Sequence, residues 1–199
     1  MLKIKLLALV LIVAAVGVFV YRHNQDNNPA SATVADSVKK AVQTVPQQTT
    51  STNYCAGNTL GREVIVSISK QRMWDCAGST TAYDNPVVTG MAIYAADLTP
   101  TGTYHIYGRQ TDQTLAGHDS TGSWSDPVSY WLPFLDNQYG TYGFHDATWR
   151  ADSDFGTIDI NNPYTAVSHG SHGCVEMPLA AAKWLYNWSS VGTTVIIQS

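Results

Sequence analysis

The sequence predicts a mainly β domain with a single helix, on three observations. Short apolar runs of strand length recur through the second half of the first hundred residues and beyond, and the first of them alternates with polar positions. Glycine, proline and small polar residues cut the chain between those runs. After residue 54, one stretch alone repeats its apolar residues at full helical spacing.

Residues 62–69 open the domain as a strand, with Val64, Val66 and Ile68 on one face and Glu63, Ser67 and Ser69 marking the other. The short turn Lys70-Gln71 leads into a partner strand over 72–76, and Ala77-Gly78-Ser79 turns the chain again. Residues 85–89 form another short strand, stopped by Gly90. Pro100-Thr101-Gly102 breaks the chain before a strand around Thr103, Tyr104 and Ile106. Residues 128–135 and 140–145 supply two more. Pro178 suits a first helical position, and Ala181, Trp184, Leu185 and Trp188 then follow at i, i+3, i+4 and i+7. Val191-Gly192 ends the helix, and residues 193–198 close the domain as a strand.

The chain has 199 residues, 44% hydrophobic and 13% charged, which allows a packed core and excludes wholesale disorder. Its net charge of −4 is unevenly placed: residues 1–53 hold five Lys/Arg against two Asp, and residues 54–199 hold six Lys/Arg against thirteen Asp/Glu. An acidic domain with few cations has nothing to release counterions from a phosphate backbone, so nucleic acid is excluded as a partner.

Residues 6–21 are an unbroken apolar run preceded by Lys3 and Lys5. As a helix they would span about 24 Å, slightly short of a hydrocarbon core. An uncleaved membrane anchor is the favoured reading over a cleaved secretory signal. Ala30-Ser31-Ala32 has the form of a cleavage site but lies beyond a polar stretch. The basic start puts Met1 inside and everything after Arg22 outside the membrane. Residues 1–22 are thus a membrane or signal segment, 23–53 a polar extracytoplasmic linker, and 54–199 the folded domain, expected as a monomer. Within the linker, Val34, Val38, Ala41, Val42 and Val45 fit a short helix.

Cys55 and Cys76 flank the first hairpin, and outside the cell such a pair is expected to be oxidised; two separate buried thiols are the alternative. Pairing them leaves Cys174 alone, either for an intermolecular link or as a reactive thiol. It sits in Ser168-His169-Gly170-Ser171-His172-Gly173-Cys174-Val175. A nucleophilic thiol needs a nearby base, and His172, His169 and the upstream His145 are the candidates. Gly170 and Gly173 allow close backbone approach and convergent N–H groups, as an oxyanion hole requires. The same histidines with Cys174 also fit a tetrahedral zinc set, which would consume the thiol.

Ser171-His172-Gly173-Cys174, with His145 in Gly143-Phe144-His145-Asp146-Ala147, resembles the signature of the L,D-transpeptidases, cysteine enzymes that cross-link bacterial peptidoglycan. Ser69-Lys70-Gln71, Val88-Thr89-Gly90, Thr99-Pro100-Thr101-Gly102-Thr103 and Gly192-Thr193-Thr194-Val195 fit in the same order. The cysteine pair resembles an actinobacterial-type subgroup in which it forms a disulfide.

The resemblance implies a β-sandwich-like catalytic domain with no metal or organic cofactor. It implies Cys174 as nucleophile, His145 as general base ahead of His169, and Ser171 and His172 as shapers of the site. Backbone N–H groups around Gly173 and Cys174 would hold the oxyanion. The partners implied are peptidoglycan stem peptides: a donor tetrapeptide cleaved before its terminal D-alanine, and an amine acceptor. A carboxypeptidase using water instead, or a wall-binding module without turnover, are the alternatives.

Two departures from the family pattern stand out. The 25 residues between His145 and Ser171 include an Asp- and Asn-rich excess over 152–166, read as a surface insertion or lid. Glu176 stands where many relatives carry Asn or Arg, and its charge would oppose a thiolate two residues away. Arg150 is assigned to a substrate carboxylate, and Trp131 and Trp149, flanking His145, to the donor groove. His23, His105 and His118 read as ordinary histidines, and 99–102 as a plain turn. Asp146 is not expected to orient His145, because neighbours on a strand point to opposite faces.

Overall fold

The computed structural model describes residues 52–119, 122–160, 162 and 170–199. The strands are β1 (Arg62–Ser67), β2 (Arg72–Ala77), β3 (Thr80–Pro86), β4 (Gly102–His105), β5 (Gln110–Asp119), β6 (Gly122–Asn137), β7 (Gly140–Asp146), β8 (Val175–Met177) and β9 (Thr194–Gln198). One α-helix, α1 (Leu179–Trp188), lies between the last two strands, and a 3-10 turn occupies Asp152–Asp154. The first sheet runs β3-β2-β1-β9-β4 and the second β5-β6-β7-β8. The β1–β9 and β7–β8 pairs are parallel, and each is made by strands distant in sequence.

Side chains from both sheets and from α1 meet in one buried cluster. Val64 and Val66 of β1, Leu132 and Phe134 of β6, Phe144 of β7, Val195 of β9 and Leu185 of α1 all belong to it. Among the described residues the mainly β, two-sheet domain with one helix is as the sequence predicts. Pro178 caps α1, and the chain leaves the helix as the Ser189 amide donates to the Leu185 carbonyl at 2.8 Å. Trp184 and Trp188 lie half-buried at its edge, stacked on each other, with Trp184 also stacked on Tyr83 of β3.

β1 is buried on both faces rather than one. Val64 and Val66 face the main core, while Ile65 packs outward against Trp74, Cys55 and Cys76. Cys55 and Cys76 form a disulfide with their Cα atoms 5.4 Å apart, and Tyr54 stacks on Trp74 at 3.7 Å. The bridge fastens the chain before β1 over the outer face of the first sheet. Closing this loop of 21 positions contributes about 3 kcal/mol on the chain-entropy estimate.

Three expectations are corrected. The third strand is Thr80–Pro86, not 85–89; it is an edge strand with a polar outer face, and its few apolar residues hide it. Residues 87–90 instead cross to the second sheet, where Val88 and Gly90 make single bridges to Glu176 and Ser171. β5 was not expected at all, and β6 begins six positions before the predicted 128. The β5–β6 hairpin sits at a sheet edge, where little burial imposes an apolar pattern. The apolar run 6–21, the short helix over 34–45 and nearly all of the linker fall outside the described residues. Among the described residues no helix is long and apolar enough to cross a membrane.

Candidate active site

The turn that presents Cys174 is built from backbone geometry. Gly173 has φ +104°, and a Cβ there would lie 2.3 Å from the Tyr142 ring, so only glycine lets the chain pass. The Ser171 hydroxyl donates to the Cys174 carbonyl at 2.5 Å and accepts the Gly173 amide at 3.1 Å. Ser171 is itself held by backbone bonds, its amide to the Thr89 carbonyl and its carbonyl to the Met91 amide, each 3.0 Å.

A buried side-chain chain locks this turn from behind. Thr99 Oγ1 donates to the Gly173 carbonyl and accepts the Gly90 amide, both at 2.8 Å. Gln71 Oε1 accepts the Thr89 amide at 2.9 Å, and its Nε2 donates to Thr89 Oγ1 and to the Ile68 carbonyl. The segment read as a plain turn at 99–102 therefore carries a structural clamp on the nucleophile loop. Buried polar groups are stable only when so satisfied.

Cys174 is the free cysteine, half-buried, with Sγ 3.9 Å from the Thr141 carbonyl. Burial pushes its thiol up to about 12; a backbone hydrogen bond from Gly143 works against this, and the charge of Glu176 adds to it. In the parallel β7–β8 pair Phe144 lies opposite Val175 and His145 opposite Glu176. His145 and Glu176, opposite one another, therefore lie on one face of the sheet, and Cys174 immediately precedes β8.

His145 is buried between Trp131 and Trp149, with each pair of ring centroids 6.0 Å apart. Its Nδ1 is 2.9 Å from the Asp146 carbonyl oxygen. A carbonyl only accepts, so Nδ1 carries a proton, and in the neutral ring Nε2 is the acceptor. The Asp146 side chain turns away, its Oδ1 accepting the Ser129 and Tyr130 amides at 2.8 Å each. It is the backbone of Asp146, not its carboxylate, that fixes the imidazole.

Arg150 does not line the cleft. Its Nε lies 2.5 Å from Glu176 Oε2 and its Nη2 donates to the Gly170 carbonyl at 3.3 Å. Both side chains are nearly buried, so the cation offsets the carboxylate whose charge opposes the thiolate. The Gly173 amide is likewise engaged by Ser171 rather than pointing into the cleft.

Cys174 opens on a cleft of about 470 Å³ lined among others by Asp97, Trp131, Tyr142 and His172. Its far wall is the β5–β6 hairpin, which contributes Leu115, His118 and Trp124. His172 stacks on Trp124 with ring centroids 4.8 Å apart, and its Nδ1 is 3.5 Å from Asp97 Oδ1. Of the 152–166 stretch read as a surface insertion or lid, the described part packs beside Val87 and Val88: the Gly156 amide donates to the Val87 carbonyl at 3.0 Å, and Phe155 joins Val88 and Ala147. Trp131 lines the cleft, whereas Trp149 is 45% exposed beside His145 and outside the lining. His169, and with it the zinc set and the second candidate base, lies outside the described residues.

Sequence reasoning missed Thr99, Gln71, Asp97 and Trp124. Thr99 and Gln71 had a signal in the Thr99-Pro100-Thr101-Gly102 and Ser69-Lys70-Gln71 segments; Asp97 and Trp124 needed long-range contacts to be seen.

Two sheets and one helix, with a free thiol on a glycine-bent turn before β8 and a backbone-held imidazole on the adjoining β7, fit an L,D-transpeptidase catalytic domain. The chain belongs to that family: the YkuD L,D-transpeptidase catalytic domain matches residues 61–197. It is similar to the crystallised L,D-transpeptidase of Enterococcus faecium, with 25% identity and a TM-score of 0.57, over 69% of this chain and 50% of that one. The isolated catalytic domain of the E. faecium enzyme is similar at 26% identity and a TM-score of 0.56, over 70% of this chain and 98% of that one. L,D-transpeptidase 3 of Mycobacterium tuberculosis shares the fold, with 20% identity and a TM-score of 0.56, over 70% of this chain and 61% of that one. YciB of Bacillus subtilis (strain 168) is 23% identical over 132 residues, which is 66% of this chain and 63% of that protein. The match thus spans half of the full Enterococcus chain and less than two thirds of YciB.

Proposed function

We propose that this protein is a peptidoglycan L,D-transpeptidase in which Cys174 carries the acyl group. The observation that supports it most is the pairing of a free, cleft-facing thiol with an imidazole on the adjoining strand whose Nδ1 is held by a carbonyl.

With its thiol held up near 12, Cys174 rests protonated, so proton removal accompanies attack. Nε2 of His145 takes the proton as sulfur bonds to the carbonyl carbon of the donor's third residue. The Cys174 amide is the donor of this turn assigned to the oxyanion, because the Gly173 amide is engaged by Ser171. The C–N bond to D-alanine breaks, and the imidazolium returns its proton to the leaving amine. A side-chain amine of an acceptor stem then attacks the thioester, giving up a proton to His145. The C–S bond breaks, the imidazolium returns that proton to sulfur, and the new amide cross-links two stems. His172 and Ser171 act as shapers, Ser171 through the turn and His172 through Trp124.

The competing reading, a wall-binding module without turnover, drew on Glu176 as a mark of lost chemistry. The Arg150 pair offsets that charge and favours an enzyme. Residues 1–22 are proposed to anchor the chain and 23–53 to hold the domain off the membrane toward the wall. Resistance to alkaline extraction, with an intact N-terminus by sequencing, checks the anchor.

The test is incubation of the full-length chain with disaccharide tetrapeptides, read by mass spectrometry. D-Alanine loss, a mass adduct on Cys174 and a cross-linked dimer are expected, with none of these in Cys174→Ala. A wild-type protein that forms neither adduct nor product, yet binds sacculi as well as Cys174→Ala, overturns the reading. Release of D-alanine with a shortened stem and no dimer assigns hydrolysis instead.

A further inference from the structure

The stretch after Arg150 takes no part in the chemistry, yet it sends one side chain inward. Phe155 directly follows the 3-10 turn Asp152–Asp154 and is buried. Hydrogen bonds within the stretch set its direction: the Asp154 amide donates to the Ala151 carbonyl at 2.9 Å, and the Thr157 hydroxyl to the Asp154 carbonyl at 2.8 Å. One residue on, Gly156 has φ +78°, and a Cβ there would lie 2.8 Å from Pro86 Cβ. Glycine thus lets this stretch lie directly against residues 86–87.

The two fully buried residues that Phe155 packs with, Ala147 and Val88, belong to opposite halves of the site. Ala147 lies two positions after His145, and its amide donates to the Met177 carbonyl at 3.1 Å, just past the last rung of the β7–β8 pair. Val88 exchanges two backbone hydrogen bonds with Glu176, each 2.9 Å, and the carbonyl of the next residue, Thr89, accepts the Ser171 amide at 3.0 Å. β8 itself is three residues long and lies at the edge of its sheet. So short a ladder does not by itself fix the spacing of imidazole and thiol; what packs behind it does. Interiors are close-packed, and deleting a ring there lets its neighbours shift.

We infer that Phe155 is a positioning residue for the reaction: packed on Ala147 and Val88, its ring holds the end of the His145 strand and the segment that carries the Cys174 turn at one spacing. The inference rests on the transpeptidase reading, whose catalytic pair it aligns. It gives the described part of the 152–166 stretch a supporting role behind the site. Phe155 acts through the geometry of His145 and Cys174, where a displacement of about 1 Å costs about 10²-fold in rate.

Full-length wild type, Phe155→Ala, Phe155→Leu and Tyr54→Ala are compared in acylation by a tetrapeptide donor and in thermal unfolding. Phe155→Ala is expected to lower kcat by about 10–100-fold with little change in KM. Phe155→Leu keeps an apolar plug and is expected to recover most of the rate. Tyr54→Ala removes the stack on Trp74 at the outer face of the first sheet, and is expected to lose stability while keeping its rate. Iodoacetamide alkylation of Cys174 gives a readout that needs no stem peptide. There Phe155→Ala is expected to slow the wild type and to add nothing on His145→Gln, because the ring acts through the imidazole–thiol geometry. Phe155→Val carries the same comparisons if the alanine variant does not fold. Equal slowing on both backgrounds, or a folded Phe155→Ala as fast as wild type, overturns the inference. A wild type silent with the donor, in which the alkylation pattern still holds, rejects the transpeptidase reading and sustains the role of Phe155.

Discussion

Nε of Arg150 lies 2.5 Å from Oε2 of Glu176, an ion pair almost closed to solvent on the strand that starts one residue after Cys174. A carboxylate here opposes thiolate formation, and the guanidinium offsets it without entering the cleft. Removing either partner therefore has opposite effects on the sulfur.

Glu176→Gln is expected to lower the Cys174 thiol titration from about 12 and to speed alkylation at fixed pH. Arg150→Ala is expected to slow alkylation and to cost about 3 kcal/mol of stability, because it strands a buried carboxylate. Iodoacetamide rates across pH, read beside urea unfolding, check both signs. In the wild type the rate should still be rising with pH at the alkaline end of the accessible range.

The roles of His145 and its neighbour separate cleanly. His145→Gln is expected to lower acylation by about 10²–10⁴-fold, the usual loss of a general base. Asp146→Asn keeps the backbone carbonyl that orients the imidazole, so activity per folded molecule is expected to hold. Its loss appears in stability, about 1–2 kcal/mol, through the Ser129 and Tyr130 amides that its Oδ1 accepts. Single-turnover acylation and thermal unfolding on both variants make the test.

Thr99→Val removes the hydroxyl between the Gly90 amide and the Gly173 carbonyl, leaving both buried groups unmet. A loss of about 1–3 kcal/mol is expected, with a fall in kcat larger than any rise in KM. Thr99→Ser restores the hydroxyl and is expected to recover both. A serine variant as slow as the valine would remove Thr99 from the positioning of Cys174.

Asp75 on β2 is fully buried, and neither carboxylate oxygen has a hydrogen-bond partner. Burial first, then the charge of Asp84, hold its carboxyl well above the usual carboxylate range. The folded state thus binds this proton more tightly than the unfolded chain. Its stabilising effect is complete below the unfolded value of about 3.9 and is lost as pH rises toward the folded one. Asp75→Asn is expected to flatten that loss, so its stability relative to wild type grows with pH. Urea unfolding from pH 4 to 8 reads it, and a difference that does not change with pH contradicts the assignment.

Strands with an apolar face were legible in the sequence because burial writes itself into local pattern. β1, β2, β7 and α1 fall where alternation or helical spacing puts them. β3 and β5 were not, since an edge strand half open to water keeps its polar residues. The resemblance picked out Cys174 and His145, and the residues around them show which atoms are free to act. Arg150 was singled out for a substrate carboxylate; the structure gives it Glu176 as its ion-pair partner, a contact 26 positions away that local pattern does not show.

By itself, the sequence determined the β class, the lone helix, the cysteine pair, the family and the acidic balance of residues 54–199. All of these are properties of residues near one another or of their totals. The tertiary structure alone decided that Thr99 clamps Gly173 from 74 positions away, that Trp124 closes on His172, and that Arg150 turns to Glu176. Those are contacts between groups far apart in the chain, and their energies depend on distance and burial, which exist only after folding.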